Sequence, residues 1–212
     1  GFGIADAKEG NAEEMGDYFS NIDISGNRLL TLLNDLLDLA KLETGKQDFS
    51  FRQTDLVAVI NPVIRELNSL LLESSLHVNL QTQDNAPKVS VDAPRIHQVM
   101  QNLLSNAIKF SPSDSEIVVE ISCDNSANAP FVEIVVRDSG PGIPDDELEF
   151  IFGNFAQSST TRSGAGGTGL GLAISRQIVE AHGGAVIARN AAAGGAEFVV
   201  TLPTVRSTIS AA

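Results

Sequence analysis

Four short stretches crowd into about 70 residues of this chain: Asn102–Lys109, Asp138–Gly142, Phe152–Phe155 and Gly167–Leu172. In the first, Asn102, Asn106 and Lys109 fall at i, i+4 and i+7 of a helical pattern, so two carboxamides and an ammonium share one helix face. In the second, a strand pattern ends on a carboxylate, Asp138, and runs into a turn with Gly140 and Gly142. The third pairs Phe152 with Phe155. The fourth is a glycine-rich loop leading straight into a helix, where backbone N–H groups and the helix dipole can hold an anion. Each stretch alone is unremarkable. All four in this order require a fold that gathers a helix face, a strand end and a loop around one pocket, and the pocket they suit is one for a nucleotide.

The bulk composition narrows the partners. With 14 Lys and Arg against 27 Asp and Glu, the formal net charge is −13. That argues against nonspecific nucleic-acid binding, which needs a basic face. A triphosphate is also an anion, so its binding must rest on local features: Lys109, Arg162, helix N-termini and a divalent metal. The single cysteine, Cys123, excludes an intramolecular disulfide and a Cys-rich metal site, and reads as a small buried residue on a strand. No apolar run is long enough to span a membrane. The chain opens Gly-Phe-Gly without Met and without a signal-peptide pattern, which reads as part of something longer.

The periodicity predicts an α+β layout. Residues 18–43 form the clearest helix: Ile22, Leu29 and Leu36 repeat every seven residues, Leu32 and Leu39 interleave, and Leu33, Leu37 and Ala40 widen the stripe. Such a width suits a four-helix bundle, the alternative being a helix packed on the domain that follows. Phe49–Gln53 alternates like a short strand. Thr54 or Asp55 can cap a helix to about residue 72, which Pro62 should kink or divide. Strands are expected at Leu76–Thr82, Glu116–Ser122, Phe131–Arg137, Ala185–Arg189 and Glu197–Leu202, and helices at Ala93–Phe110 and Leu170–His182. Adjacent strand pairs imply a two-layer sandwich: a mixed, largely antiparallel sheet with helices on one face, preceded by a long bundle helix. Residues 204–212 read as a disordered tail.

Each stretch has an ordinary explanation. The Asn102 face can be an exposed polar stripe, Asp138-Ser139-Gly140-Pro141 is turn chemistry, and either Phe can be a core aromatic. The chemical reading is sharper. Amide oxygens are hard donors suited to Mg²⁺, and an ammonium is a point charge for phosphate. Asp138 can accept from the exocyclic amine of adenine and would repel the carbonyl of guanine. The glycine-rich loop has neither the dinucleotide fingerprint spacing nor the Gly-Lys-Ser/Thr of a P-loop.

Taken together the stretches resemble the N, G1, F and G2 boxes of the sensor histidine kinase catalytic domain, and the resemblance covers roughly residues 18–203. It implies ATP and Mg²⁺ as cofactors. Asn106 would coordinate the metal, with Asn102 and Lys109 on phosphates or bound water as the catalytic set. Asp138, Gly140, Gly142 and Ile143 would hold the adenine. Gly167, Thr168, Gly169, Leu170 and Gly171 would contact the phosphates, with Leu172 and Phe155 completing the ATP-binding set. Residues 152–166 would be the ATP lid, with Phe152 and Phe155 as its hinge and anchor. Many relatives carry an Arg soon after the second Phe; here Gln157 occupies that neighbourhood, and Arg162 could substitute. Related ATPases of the superfamily carry a Glu where this chain has Asn102. A carboxamide is a very poor base, which favours transfer to a protein acceptor over hydrolysis.

The same resemblance divides the chain. Residues 1–46 would be part of the dimerisation and phosphoacceptor region, represented by its second helix, 47–205 the catalytic ATP-binding domain, and 206–212 a tail. The acceptor histidine is the missing piece, since the three histidines, His77, His97 and His182, fall in a strand, in the N-box helix and before Gly-Gly. The expectation is therefore an ATP-binding region that passes the γ-phosphoryl group to a histidine on a dimerisation helix outside this chain, for onward transfer to a response regulator receiver domain. The full-length protein would be a homodimer through a helical bundle. The region itself would be cytoplasmic and touch neither membrane nor nucleic acid, with an inner-membrane anchor left open for the whole protein. The alternative is a nucleotide-sensing module of the same fold without transfer activity.

Overall fold

A computed structural model describes residues 12–45, 47–83, 88–124, 131–160 and 168–204. Helix α1 (Ala12–Glu43) leads into a short strand β1 (Arg52–Thr54), helices α2 (Leu56–Glu66) and α3 (Asn68–Glu73), and strands β2 (His77–Thr82) and β3 (Val89–Val91). Helix α4 (Ala93–Phe110), strands β4 (Glu116–Asp124) and β5 (Phe131–Arg137), helix α5 (Gly171–Ala181) and strands β6 (Ala185–Asn190) and β7 (Ala196–Pro203) follow. Five strands form one sheet in the order β2-β4-β5-β7-β6, parallel only between β2 and β4, with the helices on one side.

Local chemistry explains the boundaries. Asp55 caps α2, its carboxylate accepting from Val57 N at 2.9 Å. Pro62 is absorbed within α2, and the division expected at the proline falls five residues later, at Leu67. Helix α4 starts at Asp92, whose side chain accepts from Arg95 N at 3.2 Å, with a proline in the first turn. Its apolar face, with Val99, Met100, Leu103 and Leu104 fully buried, packs into one core with Ile117 and Ile121 of β4 and Ile134 of β5.

Two expectations needed correction. Phe49–Gln53 is not the strand: β1 starts at Arg52, because Phe49 and Phe51 pack their rings on His182 at 5.4 and 5.0 Å. The partner of β1 is β3, too short to announce itself by alternation. Cys123 is only partly buried, lying toward the far end of β4.

The stripe on α1 is split. Leu39 and Leu42 are buried in the domain core and Leu36 packs against it, whereas Ile22, Leu29, Leu33 and Leu37 remain exposed. The helix therefore packs on α5 through one side of the stripe and leaves the other uncovered. The loop between β4 and β5 and the expected tail from 205 onward lie outside the described residues.

Candidate active site

A cleft of about 930 Å³ opens between α4, the Asp138 turn, the segment before α5, and α1. Asn102, Asn106 and Lys109 all line it from α4, joined by Ser105 and Gln98 of the same helix. Periodicity places them so: the opposite face of α4 is committed to the core, which turns this one outward. Asn106 makes no hydrogen bond to the described residues, so its carboxamide faces the cleft with both ends available. Desolvation by the cleft wall lowers the pKa of Lys109 from its ordinary value.

Asn102 is held. Its Nδ2 donates to Ser175 Oγ on α5 at 3.0 Å, and its Oδ1 lies so close to Gly171 that a side chain there would overlap it. Ser175 is buried. A Cβ at Gly171 would therefore push the Asn102 carboxamide aside and disturb its bond to Ser175, a reason for glycine distinct from the phosphate contact the resemblance implies.

Asp138 sits just past β5 and is 5% exposed. Its Oδ1 accepts from Gly140 N at 2.8 Å and Ala196 N at 3.0 Å. Its Oδ2 has no hydrogen-bond partner among the described residues, although Asp138 lines the cleft. Burial pushes its carboxyl up from the ordinary carboxylate value, and the two backbone bonds only partly offset this. Gly195, at φ +88°, lies directly under the Asp138 carbonyl, where any Cβ would collide. Asn190 clamps the turn, accepting from Ile143 N at 2.8 Å and donating to Ile143 O at 2.7 Å.

The remaining expected residues fall in three groups. Gly142, Ile143, Thr168, Gly169, Gly171 and Leu172 line the cleft. Gly140 lies behind Asp138, Leu170 is fully buried, and Phe155 is 56% exposed at φ +60° with its backbone against Gly169. Phe152, by contrast, is a core residue, its ring against Phe198 at 6.3 Å and under the Arg176 guanidinium at 4.2 Å. Arg162 and Gly167 lie outside the described residues.

Four contributors escaped the sequence reading. Ser175 and Asn190 carried no local signal, because their partners are 73 and 47 residues away. Ser105, at i+3 from Asn102, was visible in the helical spacing. The fourth, Asp35 of α1, accepts from the Thr168 hydroxyl at 2.9 Å, across 133 residues of sequence.

With this geometry in view, the comparisons are specific. Residues 91–206 match the family described as "Histidine kinase-, DNA gyrase B-, and HSP90-like ATPase". The chain belongs to this ATPase family. Within it, the chain is 39% identical over 178 residues to hybrid signal transduction histidine kinase D of Dictyostelium discoideum, covering 82% of this chain and 11% of that protein. It is 34% identical over 194 residues to the circadian input-output histidine kinase CikA of Synechococcus elongatus, covering 90% of this chain and 25% of the relative. The chain thus spans a quarter or less of these curated relatives. Among solved structures, full-length ShkA in complex with AMPPNP superposes with a TM-score of 0.77 at 28% identity, over 92% of this chain and 40% of that one. Histidine kinase ThkA in complex with response regulator protein TrrA gives 0.72 at 26% identity, over 92% and 53%.

The residues present fit the ATP that this family's name implies. The cleft is of ligand-binding size, and two groups that bond to no described residue, Asp138 Oδ2 and the Asn106 amide, face it from different elements. Among the described residues no group of three His, Cys, Asp or Glu could hold a metal. A bound Mg²⁺ would therefore draw its ligands from phosphate oxygens, water and an amide such as Asn106.

Proposed function

We propose that this chain is the ATP-binding catalytic region of a two-component sensor histidine kinase, passing the γ-phosphoryl group of Mg·ATP to a histidine on a dimerisation helix. The observation that carries this is the pairing, in one cleft, of Asp138 Oδ2 and the Asn106 carboxamide, neither of them hydrogen-bonded to any described residue. Asp138 Oδ2 accepts from the exocyclic amine of adenine, and the Gly142–Ile143 turn flanks the ring. Asn106 would hold Mg²⁺, which when bound would neutralise phosphate charge. Lys109 and the Thr168–Gly171 segment address the phosphates. Asn102, fixed by Ser175, positions phosphate or its bound water without acting as a base, so hydrolysis is not promoted. Phe155 serves as the anchor of the lid; Arg162, the expected γ-phosphate partner, lies outside the described residues. Catalysis of this kind is positioning and charge stabilisation.

The acceptor imidazole comes from elsewhere. His77 of β2 bonds Glu116, His97 of α4 bonds Glu66 of α2, and His182, just past α5, is buried; none of the three is on α1. The exposed half of the α1 stripe suits a dimerisation bundle in the whole protein. A response regulator aspartate is the onward acceptor, in keeping with the ThkA–TrrA complex among the structural relatives. No described helix is long and apolar enough to cross a membrane, in keeping with a cytoplasmic catalytic region. Asn106, Asp138 and the described cleft glycines are all in place, and nothing favours a sensing module without transfer.

The test is radiolabelled ATP with Mg²⁺, offered to this chain alone and then with a histidine-bearing helix pair from a relative. Phosphohistidine should appear only in the second reaction and vanish with Asn106→Ala. Labelling of His77, His97 or His182 in the first reaction would overturn the assignment.

A further inference from the structure

Helix α1 is a wall of the cleft as well as a support. Asn27, Thr31, Leu32 and Asp35 line it from that side. Among the described lining residues the carboxylates are Asp35 and Asp138, and the cation is Lys109. Asp138 is tied to two backbone N–H groups. Asp35 is different: it holds the Thr168 hydroxyl, at the entry to α5. A threonine hydroxyl has a single proton to donate. It cannot give that proton to Asp35 and to a phosphate oxygen at once. A phosphate at Thr168 would also stand beside the Asp35 carboxylate, a like charge.

Among the described residues, the C-terminal half of α1 makes its hold on the domain. Asp38 accepts from Arg95 Nη1 at 2.7 Å and Gln98 Nε2 at 2.9 Å, and Leu39 and Leu42 are buried below. Toward the N-terminus, Ile22 and Leu29 of the helix are exposed.

We infer that Asp35 sets which nucleotides the cleft accepts: while α1 is docked, its carboxylate occupies Thr168 and selects against polyphosphate charge, so that nucleotide phosphates and α1 compete for one donor. The inference rests on the nucleotide reading of the cleft. It makes α1 position a variable that a triphosphate drives and an uncharged nucleoside does not.

Calorimetric titration of the full 212-residue chain tests this with three probes: adenosine, ADP and a non-hydrolysable ATP analogue, the latter two with Mg²⁺. Asp35→Asn should leave adenosine affinity unchanged, tighten ADP, and tighten the triphosphate most, by about fivefold or more, the scale of coupled sites. Asp38→Asn, which loosens α1 from Arg95 and Gln98, should give the same rank order. Equal changes for all three probes, or none, would overturn the role of Asp35. Weaker triphosphate binding would overturn it too, making Asp35 a ligand of the metal–phosphate group. Failure of every probe to bind the parent chain and both variants would instead overturn the nucleotide reading, and this inference with it.

Discussion

Asp138→Asn separates recognition from folding. In the structure Oδ1 takes both backbone N–H groups and Oδ2 bonds to no described residue. An asparagine can keep its oxygen on Gly140 N and Ala196 N, which forces its NH₂ into the position of Oδ2. An acceptor aimed at the adenine amine becomes a donor. The loss is one hydrogen bond to a charged group, about 1–3 kcal/mol, or roughly 5- to 150-fold in affinity. Stability should move the other way. The folded carboxyl titrates above its ordinary value of 3.8, so the fold binds more protons than the unfolded chain there, and ionising it costs stability as pH rises through that window. At neutral pH the amide removes that cost, and the melting temperature should hold or rise. The assay is paired: calorimetric titration with an ATP analogue, and thermal melts without ligand. The variant should also discriminate less against guanine nucleotides, because its new donor faces the guanine carbonyl. Unchanged ATP affinity in a well-folded variant would refute the assignment of Asp138.

Further substitutions test the scaffold around the site. Gly195→Ala should destabilise by at least about 1 kcal/mol, through its positive φ and the clash with the Asp138 carbonyl, and should weaken nucleotide binding with it; a normal melting curve would contradict the close approach. His182 accepts from Asp92 N at 3.0 Å through Nε2 and donates through Nδ1 to Ile178 O at 2.7 Å, so His182→Ala strands a buried N–H and should cost about 1–3 kcal/mol by denaturant titration. Burial alone would raise the Glu197 carboxyl, but hydrogen bonds from Arg189 and Arg137 outweigh it and hold the pKa below the ordinary 4.5. Its stabilisation is therefore full above that value and lost as pH falls through the depressed one, so melts of Glu197→Gln and the parent chain should differ at pH 7 and converge in acid.

The elements with dense local signals were legible. Helix α4 and strand β5 have the bounds expected from periodicity, because each buries one face and its apolar spacing must match its own repeat. The Asn102 face and the Asp138 turn could be read for the same reason: they interrupt that spacing with polar groups. Strand β3 could not, since three residues carry no period. Nor could the displacement of β1, which follows from two phenylalanines finding His182 about 130 residues away.

What the order of residues settled here is the inventory: a polar helix face, an acid after a strand, a glycine run before a helix, and the family these identify. The partnerships were settled in three dimensions. Asn102 meets Ser175, Asp92 meets His182, and Asp35 meets Thr168 over separations of 73, 90 and 133 residues. A hydrogen bond depends on where the packed sheet and helices bring two side chains, and distance along the chain does not encode that. The sharpest case is α1, whose leucines announce a buried face but not which surface will bury it. The structure lays half of that face on the domain, and so puts a carboxylate into the cleft.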